Sequence, residues 1–378
     1  MRRLTAVIFA VAIIGVASAA AAVRPSGDAP IPEAGAWFVM NDTTGEVVVS
    51  HAARERRPIA SITKLMTVLV ALDHHKLTDV VTVDPRAARI GEETINLRPG
   101  ERLTVADLVK GALIQSANDA ADALALSVGS SFGAFADLMN AKARTLGLAD
   151  SHFVRPDGLD ADGQWSSAHD VTLLAQAAMK LAPVREAVAS ETATIAGQRL
   201  LHTWNDLLGV VPGVVGVKTG HTDGAGWCQV VAVQRDGITL YVTILGAPSR
   251  SDRNRDLQTL AEYGVAQFRT VNAVATDRSY ASVALPYGIT PLHLVASRPF
   301  TVVTRLGASL VEKVVAPASV LPPIAKGQPL GTVEIYASGT LVGTRQLVAD
   351  RAVGRPTLAR KVSWYTGRTA DRLTGIFG

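Results

Sequence analysis

The chain has a single cysteine, Cys228, in 378 residues. An internal disulfide is excluded even in an oxidising compartment, and so is a metal centre built from thiolates. Nothing else in the sequence calls for a metal or a cofactor. There is no internal repeat of solenoid period, and no low-complexity tract beyond an alanine-rich N-terminal stretch. Apolar material is not lacking: 48% of the residues are hydrophobic. The chain can therefore bury a large core spread over about two or three domains, and disorder is excluded.

Basic charge is scarce in the body of the chain. Residues 351 to 378 hold six basic residues (Arg351, Arg355, Arg360, Lys361, Arg368, Arg372) against one acid, Asp371, while residues 20 to 350 carry 29 basic against 32 acidic side chains. No basic stripe tracks a folded domain, which excludes a nucleic-acid partner.

An apolar run long enough to span a bilayer is also missing. A span needs about 20 apolar residues, and the N-terminal run reaches that length only by counting the alanines up to Val23. Met1, Arg2 and Arg3, an apolar run from residue 4 to 16 and the tripeptide "ASA" at 17 to 19 read as an export signal over residues 1–22, cut near Ala19 or Ala22. Residues 23–34 have the Pro and Gly density of a linker, so the folded body starts near Gly35.

From there "AWFVMNDTTGEVVVSHA" reads as two strands around a glycine-containing turn. Helical periodicity covers 61–74, 104–128, 132–146 and 168–181. From Val214, "VVGVKTGHTDGAGWCQVVAVQRDGITLYVTILG" gives three strands, and a helix follows near 252–268. This order predicts an α+β domain over 35–270, an antiparallel sheet flanked by helices. Residues 271–352 hold short β-branched runs punctuated by Gly and Pro, which predicts a small all-β domain without a catalytic cluster.

One stretch carries a chemical question. In "RRPIASITKLMTVLVALD", Ser61 precedes an apolar helix, where it fits an N-cap; Lys64 lies on the same helical face, where its amine can reach the Ser61 hydroxyl. A lysine whose pKa is depressed by burial and neighbouring cations is the base that a neutral serine needs. Alone, S-x-x-K is a weak signal. Two further segments strengthen it: "IQSANDAADALAL", with Ser116 and Asn118 on a turn before a helix, and "GVKTGHT", with Lys218, Thr219 and Gly220 at a strand end. S-x-x-K, S-x-N and K-T-G in this order form the motif set of penicillin-binding proteins and class A β-lactamases.

With these motifs, and with "DTTGEVV", "LRPGERLTVADLVKGALIQSANDAADALA", "GLDADGQWSSAHD", "WNDLL" and "PGVVGVKTGHTDGAGWC", the chain closely resembles the D-alanyl-D-alanine carboxypeptidases, the low-molecular-weight penicillin-binding proteins, over nearly its whole mature length. The resemblance implies that Ser61 attacks the carbonyl between the two terminal D-alanines of a peptidoglycan stem peptide and that Lys64 takes its proton. It implies that Ser116 and Lys218 pass a proton to the departing D-alanine, that Asn118 holds the stem-peptide amide, and that Thr219 binds the terminal carboxylate. Gly220 belongs to the same substrate-binding strand segment. The backbone N–H groups of Ser61 and His221 form the implied oxyanion pair, and Arg253 matches an arginine that helps hold the carboxylate, with a solvated charge run as the bland alternative. β-Lactams are the implied covalent inhibitors. The chain departs from the family at "RPDGLD", where Asp157 stands in place of a frequent histidine; we read this as loop variation.

Three other readings stay open. A DD-endopeptidase shares all these residues. A serine β-lactamase shares the motifs but needs a glutamate to drive water onto the acyl-enzyme, and residues 150–167 contain none. A non-enzymatic penicillin sensor would be expected to have lost some of the six motif side chains.

The tail, residues 353–378, sets Leu358, Val362, Tyr365, Leu373, Ile376 and Phe377 within about a third of a helical wheel, flanked by Lys361, Arg368 and Arg372, with Trp364 beside them. A packed core helix shows such a stripe too. The concentrated basic charge instead predicts that residues 355–378 lie on an anionic membrane surface, which puts an exported, periplasmic protein on the outer face of the cytoplasmic membrane.

Overall fold

The computed structural model describes residues 9–14 and 28–374. The expected cleavage sites at Ala19 and Ala22, and Ile376 and Phe377 of the tail stripe, lie outside the described residues. The chain divides into two compact units, Ser26–Phe268 and Arg269–Gly378, the latter taking in Phe9–Ile14.

The first unit is built on a five-stranded sheet. Its strands are β1 (Ala36–Asn41), β2 (Val47–His51), β3 (Val214–Thr222), β4 (Gly226–Arg235) and β5 (Ile238–Ala247), in the order β2-β1-β5-β4-β3. Every pairing is antiparallel. The β1–β2 turn is held by buried Asn41, whose Oδ1 accepts the backbone N–H groups of Thr43 and Thr44. Strands β4 and β5 are apolar nearly throughout instead of alternating, because both sheet faces are covered. Val230 and Ala232 belong to the core beneath the helices, whereas Val39 and Leu240 lie against Gly264 on the opposite face.

Helix α1 (Lys64–His74) is buried without interruption from Lys64 to Ala71, as expected of a central helix that is apolar all round. Around it stand α2 (Val105–Leu113), α3 (Asn118–Val128), α4 (Phe132–Thr145) and α5 (Ala168–Met179), followed by α6 (Ala182–Val188) and α7 (Arg250–Ala266). Thr104, Ser131, Ser167 and Ser249 cap α2, α4, α5 and α7 by accepting a backbone N–H three residues on, each cap contributing about 1 kcal/mol.

One sequence expectation changes, and two elements join those expected. The helix predicted over 104–128 is broken: α2 ends at Leu113, Ser116 takes a left-handed φ of 64°, and α3 begins at Asn118. A non-glycine residue in that region carries strain, which clusters at functional sites. The hairpin Thr192–Ile195/Arg199–His202 and α6, with a proline in its first turn, were hidden from periodicity by their shortness.

The second unit is all-β until its last helix. Strands β6 (Phe268–Val274) and β9 (Phe300–Arg305) pair with each other. The larger sheet runs β10 (Leu310–Pro317), β11 (Pro329–Ala337), β12 (Thr340–Ala349), β8 (Leu292–Ala296), β7 (Ser279–Val283), with Phe9–Ile14 added antiparallel at the β10 edge. Its core is separate and includes Val283, Leu292, Leu294, Val333 and Leu347. Helix α8 (Leu358–Thr374) follows, and Arg360 in its first turn donates to the carbonyls of Tyr287 and Gly288.

Candidate active site

The N-cap reading of Ser61 fails on geometry. Residues Ala60–Thr63 form a 3-10 turn that runs into α1, and neither element has a side-chain cap bond. The Ser61 Oγ instead accepts from Lys64 Nζ at 2.7 Å. Lys64 is buried, and its two other partners are acceptors only: Asn118 Oδ1 at 2.7 Å and the Asp157 carbonyl at 2.5 Å. An ammonium fills all three positions as donor. A neutral amine fills the two acceptors with its N–H groups and turns its lone pair to the serine hydroxyl. Burial favours the neutral form by pushing Lys64 down from 10.5 to about 8, against the opposing pull of Asp157 and Asp122.

The broken helix supplies the second pair. Ser116 sits in the break between α2 and α3, and Lys218 Nζ donates to its Oγ at 2.8 Å and to the Thr219 carbonyl at 2.9 Å. Lys218 is also buried; burial first, and the Lys64 cation second, hold its pKa well below the usual lysine range. The two lysines thus approach the serines from opposite sides, one on α1 and one on β3. Asn118 is fixed in turn: its Nδ2 donates to the Gly91 carbonyl, and its backbone N–H to that of Glu93.

Gly220 shows why the strand segment needs glycine. A Cβ there would lie 2.7 Å from the Ile59 carbonyl oxygen and 3.1 Å from the Ser61 nitrogen. Only a bare backbone lets β3 press against the turn that bears Ser61. The next residue, His221, stacks on Trp227 with ring centroids 4.0 Å apart, so its side chain forms a wall.

Arg253 is no solvated charge. Its side chain is 2% exposed, against 41% for Arg250 and 56% for Arg255. It donates to Asp206 Oδ2 at 3.0 Å and lies over the Trp227 ring, 5.5 Å from its centroid. Burial lowers its pKa to about 10, which still leaves it cationic at neutral pH. Ser61, Ser116, Thr219, His221 and Arg253 line one cavity of about 320 Å³. The structure therefore brings together every candidate residue from the three motifs, with Arg253 beside them.

Sequence reasoning missed several neighbours. Glu92, Glu93, Trp204 and Trp227 also line the cavity, and Asp206 holds both Arg250 and Arg253. The run "WNDLL" was visible but gave no hint of that pairing. Asp157 can be placed more closely: it is buried, its carbonyl accepts from Lys64, and its carboxylate pairs with Arg155 at 2.7 Å. It lies in a loop as read, but in one that walls the lysine pocket. Among the described residues, no group of three or more His, Cys, Asp or Glu side chains is arranged to hold a metal ion.

Comparison with known proteins agrees with this geometry. The family described as D-alanyl-D-alanine carboxypeptidase, peptidase S11, matches residues 24–249, and the C-terminal domain of penicillin-binding protein 5 matches residues 268–355. D-alanyl-D-alanine carboxypeptidase DacC of Escherichia coli is 33% identical over 88% of this chain and 87% of its own length. DacF of Bacillus subtilis is 30% identical over 84% and 85%. The crystal structure of penicillin-binding protein 5 from Haemophilus influenzae superimposes with a TM-score of 0.65 at 25% identity, covering 87% of this chain and all of that one. The Streptomyces K15 DD-transpeptidase does so with 0.60 at 31%, covering 64% and 100%. The chain belongs to the D-alanyl-D-alanine carboxypeptidase family, the penicillin-binding serine peptidases of the S11 type. It is a serine-type hydrolase.

Proposed function

We propose that this enzyme removes the terminal D-alanine from peptidoglycan stem pentapeptides through an acyl-enzyme on Ser61, with Lys64 as the base. The observation that carries this reading is the set of three partners around Lys64 Nζ, two obligate acceptors and the Ser61 hydroxyl. Ser61 Oγ bonds to the carbonyl carbon between the two D-alanines as its proton passes to Lys64. The C–N bond then breaks, and the departing amine takes a proton by way of Ser116 and Lys218. The N–H groups of Ser61 and His221 receive the oxyanion, an interaction worth roughly 3 to 4 kcal/mol per donor in proteases. Thr219 and Arg253 hold the terminal carboxylate with charge-assisted bonds, and Asn118 orients the peptide amide. Water then releases the shortened peptide from Ser61.

A β-lactam follows the same first step and stays attached. No glutamate is present in residues 150–167, and two of that segment's aspartates are already engaged. Asp157 pairs with Arg155, and Asp160 accepts from Thr222 and the Gly224 N–H.

Export by residues 1–22 and peripheral attachment by residues 355–378 complete the proposal. Supporting it, Leu358 and Val362 on α8 are 78% and 54% exposed, as suits side chains that meet a lipid surface instead of a protein core. No helix among the described residues is long and apolar enough to cross a membrane. Removal of the leader on export would leave β10 as the sheet edge.

Product analysis on uncross-linked pentapeptides and on cross-linked muropeptides tests the reaction. Release of free D-alanine from the former is expected. Cleavage confined to cross-links would instead establish the endopeptidase.

A further inference from the structure

Beneath Lys64 lies a carboxyl group that the reaction as described does not use. Asp122 is on α3, one helical turn after Asn118 and therefore on the same face. It is 1% exposed, and its Oδ1 has no hydrogen-bond partner among the described residues. The charged groups around it are Lys64, Asp157, Arg155 and, one turn back, Asp119. Lys64 in turn faces Asp157, Asp122, Glu93 and Glu92, with Lys218 beyond.

These groups are not equivalent. Arg155 is engaged by Asp157 through two hydrogen bonds, so that pair is balanced. Asp119 is spent on the N–H groups of Ile95, Leu97 and Ala120. Glu93 accepts from Gln115, and Glu92 lines the open cavity. Asp122 is left as a buried carboxyl near Lys64 whose Oδ1 no hydrogen bond engages.

We propose that Asp122 is a positioning residue for the acylation step: it balances the charge on Lys64 as the lysine takes up and gives back the Ser61 proton. The step needs no further reactant. As the bond from Ser61 Oγ to the carbonyl carbon forms, the proton moves from Oγ to Nζ, and the ammonium so made is buried. An uncompensated buried cation is costly, so a neighbouring carboxyl that is already ionised in the reacting form stabilises it. Burial raises Asp122 to about 8, the value to which it lowers Lys64. Each shift leaves the neutral form of its group accessible near neutral pH, and each group's charge acts on the other.

The inference rests on Lys64 as the base, and the test separates the two. The measured quantity is the second-order rate of covalent labelling by a fluorescent penicillin from pH 5.5 to 9.5, for the wild-type full chain, Asp122→Asn and Asp122→Glu. Without the anion, Lys64 loses its proton at lower pH but makes a less stable ammonium. Asp122→Asn should therefore move the acid midpoint down by about half a pH unit or more and lower the plateau about tenfold, while Asp122→Glu returns both toward wild type. A uniformly lower rate with an unmoved midpoint marks a structural role only and overturns the proposal. If Asp122→Asn does not fold, the infrared spectrum of the wild type decides: a protonated-carboxyl band at pH 7 that disappears on titration to pH 10 supports it, and the lack of any such band overturns it. Normal labelling of Lys64→Arg would instead remove the base reading on which the inference stands.

Discussion

Arg253 Nη2 donates to Asp206 Oδ2 at 3.0 Å, and the same oxygen accepts from Asn254 Nδ2 and Arg250 Nε. One carboxylate thus orients the buried guanidinium over the cavity. Arg253→Leu should raise KM for a peptide with a free C-terminal carboxylate by roughly 10- to 100-fold, since a hydrogen bond to a charged group contributes about 1.5 to 3 kcal/mol. Fold stability should change little, because Asp206 keeps Arg250. A KM within twofold of wild type would remove Arg253 from the substrate site.

Ser61→Ala should abolish both D-alanine release and covalent labelling by fluorescent penicillin. The melting temperature should stay within a few degrees, because Ser61 caps no helix and its loss leaves Lys64 with two acceptors. Labelling of the alanine variant would place the acyl group elsewhere.

Lys64→Arg keeps a positive charge but supplies a group that stays protonated at working pH. Acylation should collapse. In the wild type the acylation rate should rise with pH about a midpoint near 8, since protonated Lys64 cannot accept the serine proton. The same shift bears on stability. The unfolded lysine keeps its proton up to about 10.5, so this group opposes folding by roughly 3 kcal/mol below pH 8, and that penalty is relieved as pH rises from 8 toward 10.5. Denaturant titrations across that window check the sign.

The penicillin adduct should persist for minutes or longer after free drug is removed, since neither Asp157 nor Asp160 is free to activate water. Fluorescence retained on the protein through a chase measures this. Loss within seconds, with drug turnover, would point to the β-lactamase reading.

Much of this was legible in the sequence. The three motifs placed Ser61, Lys64, Ser116, Asn118, Lys218 and Thr219 together, because each sits where helix, turn or strand chemistry left a local mark. The turn at Ser116 was legible, but its left-handed backbone was not, because the apolar periodicity over 104–128 runs straight through it. The burial of Asp122 and Asp157 was unseen for a related reason. A carboxylate in sequence reads as surface, and burial beside a lysine comes from the tertiary packing of α1, α3 and the loop at 155–157.

Deleting residues 355–378 should leave turnover of soluble peptide intact and release the protein from anionic liposomes. The intact chain should bind less as salt rises, because surface charge is screened over about 10 Å at 0.1 M. Equal co-sedimentation of the two forms would assign the tail to the protein core.

The order of strands in the first sheet has a consequence for when the enzyme becomes an enzyme. Trp37 on β1 is paired with Ile244 on β5, so one of the first strands of the chain has to wait for the last strand of its domain. Pairings of such sequence separation form slowly. Until residue 247 is present, β1 lacks its inner neighbour, β4 lacks one of its two partners, and the β3–β4 pair that offers Lys218 to Ser116 has no sheet to join. A chain that ends short of β5 should therefore fail to acylate, and reactivity toward a peptide or a penicillin should appear only once the sheet is complete.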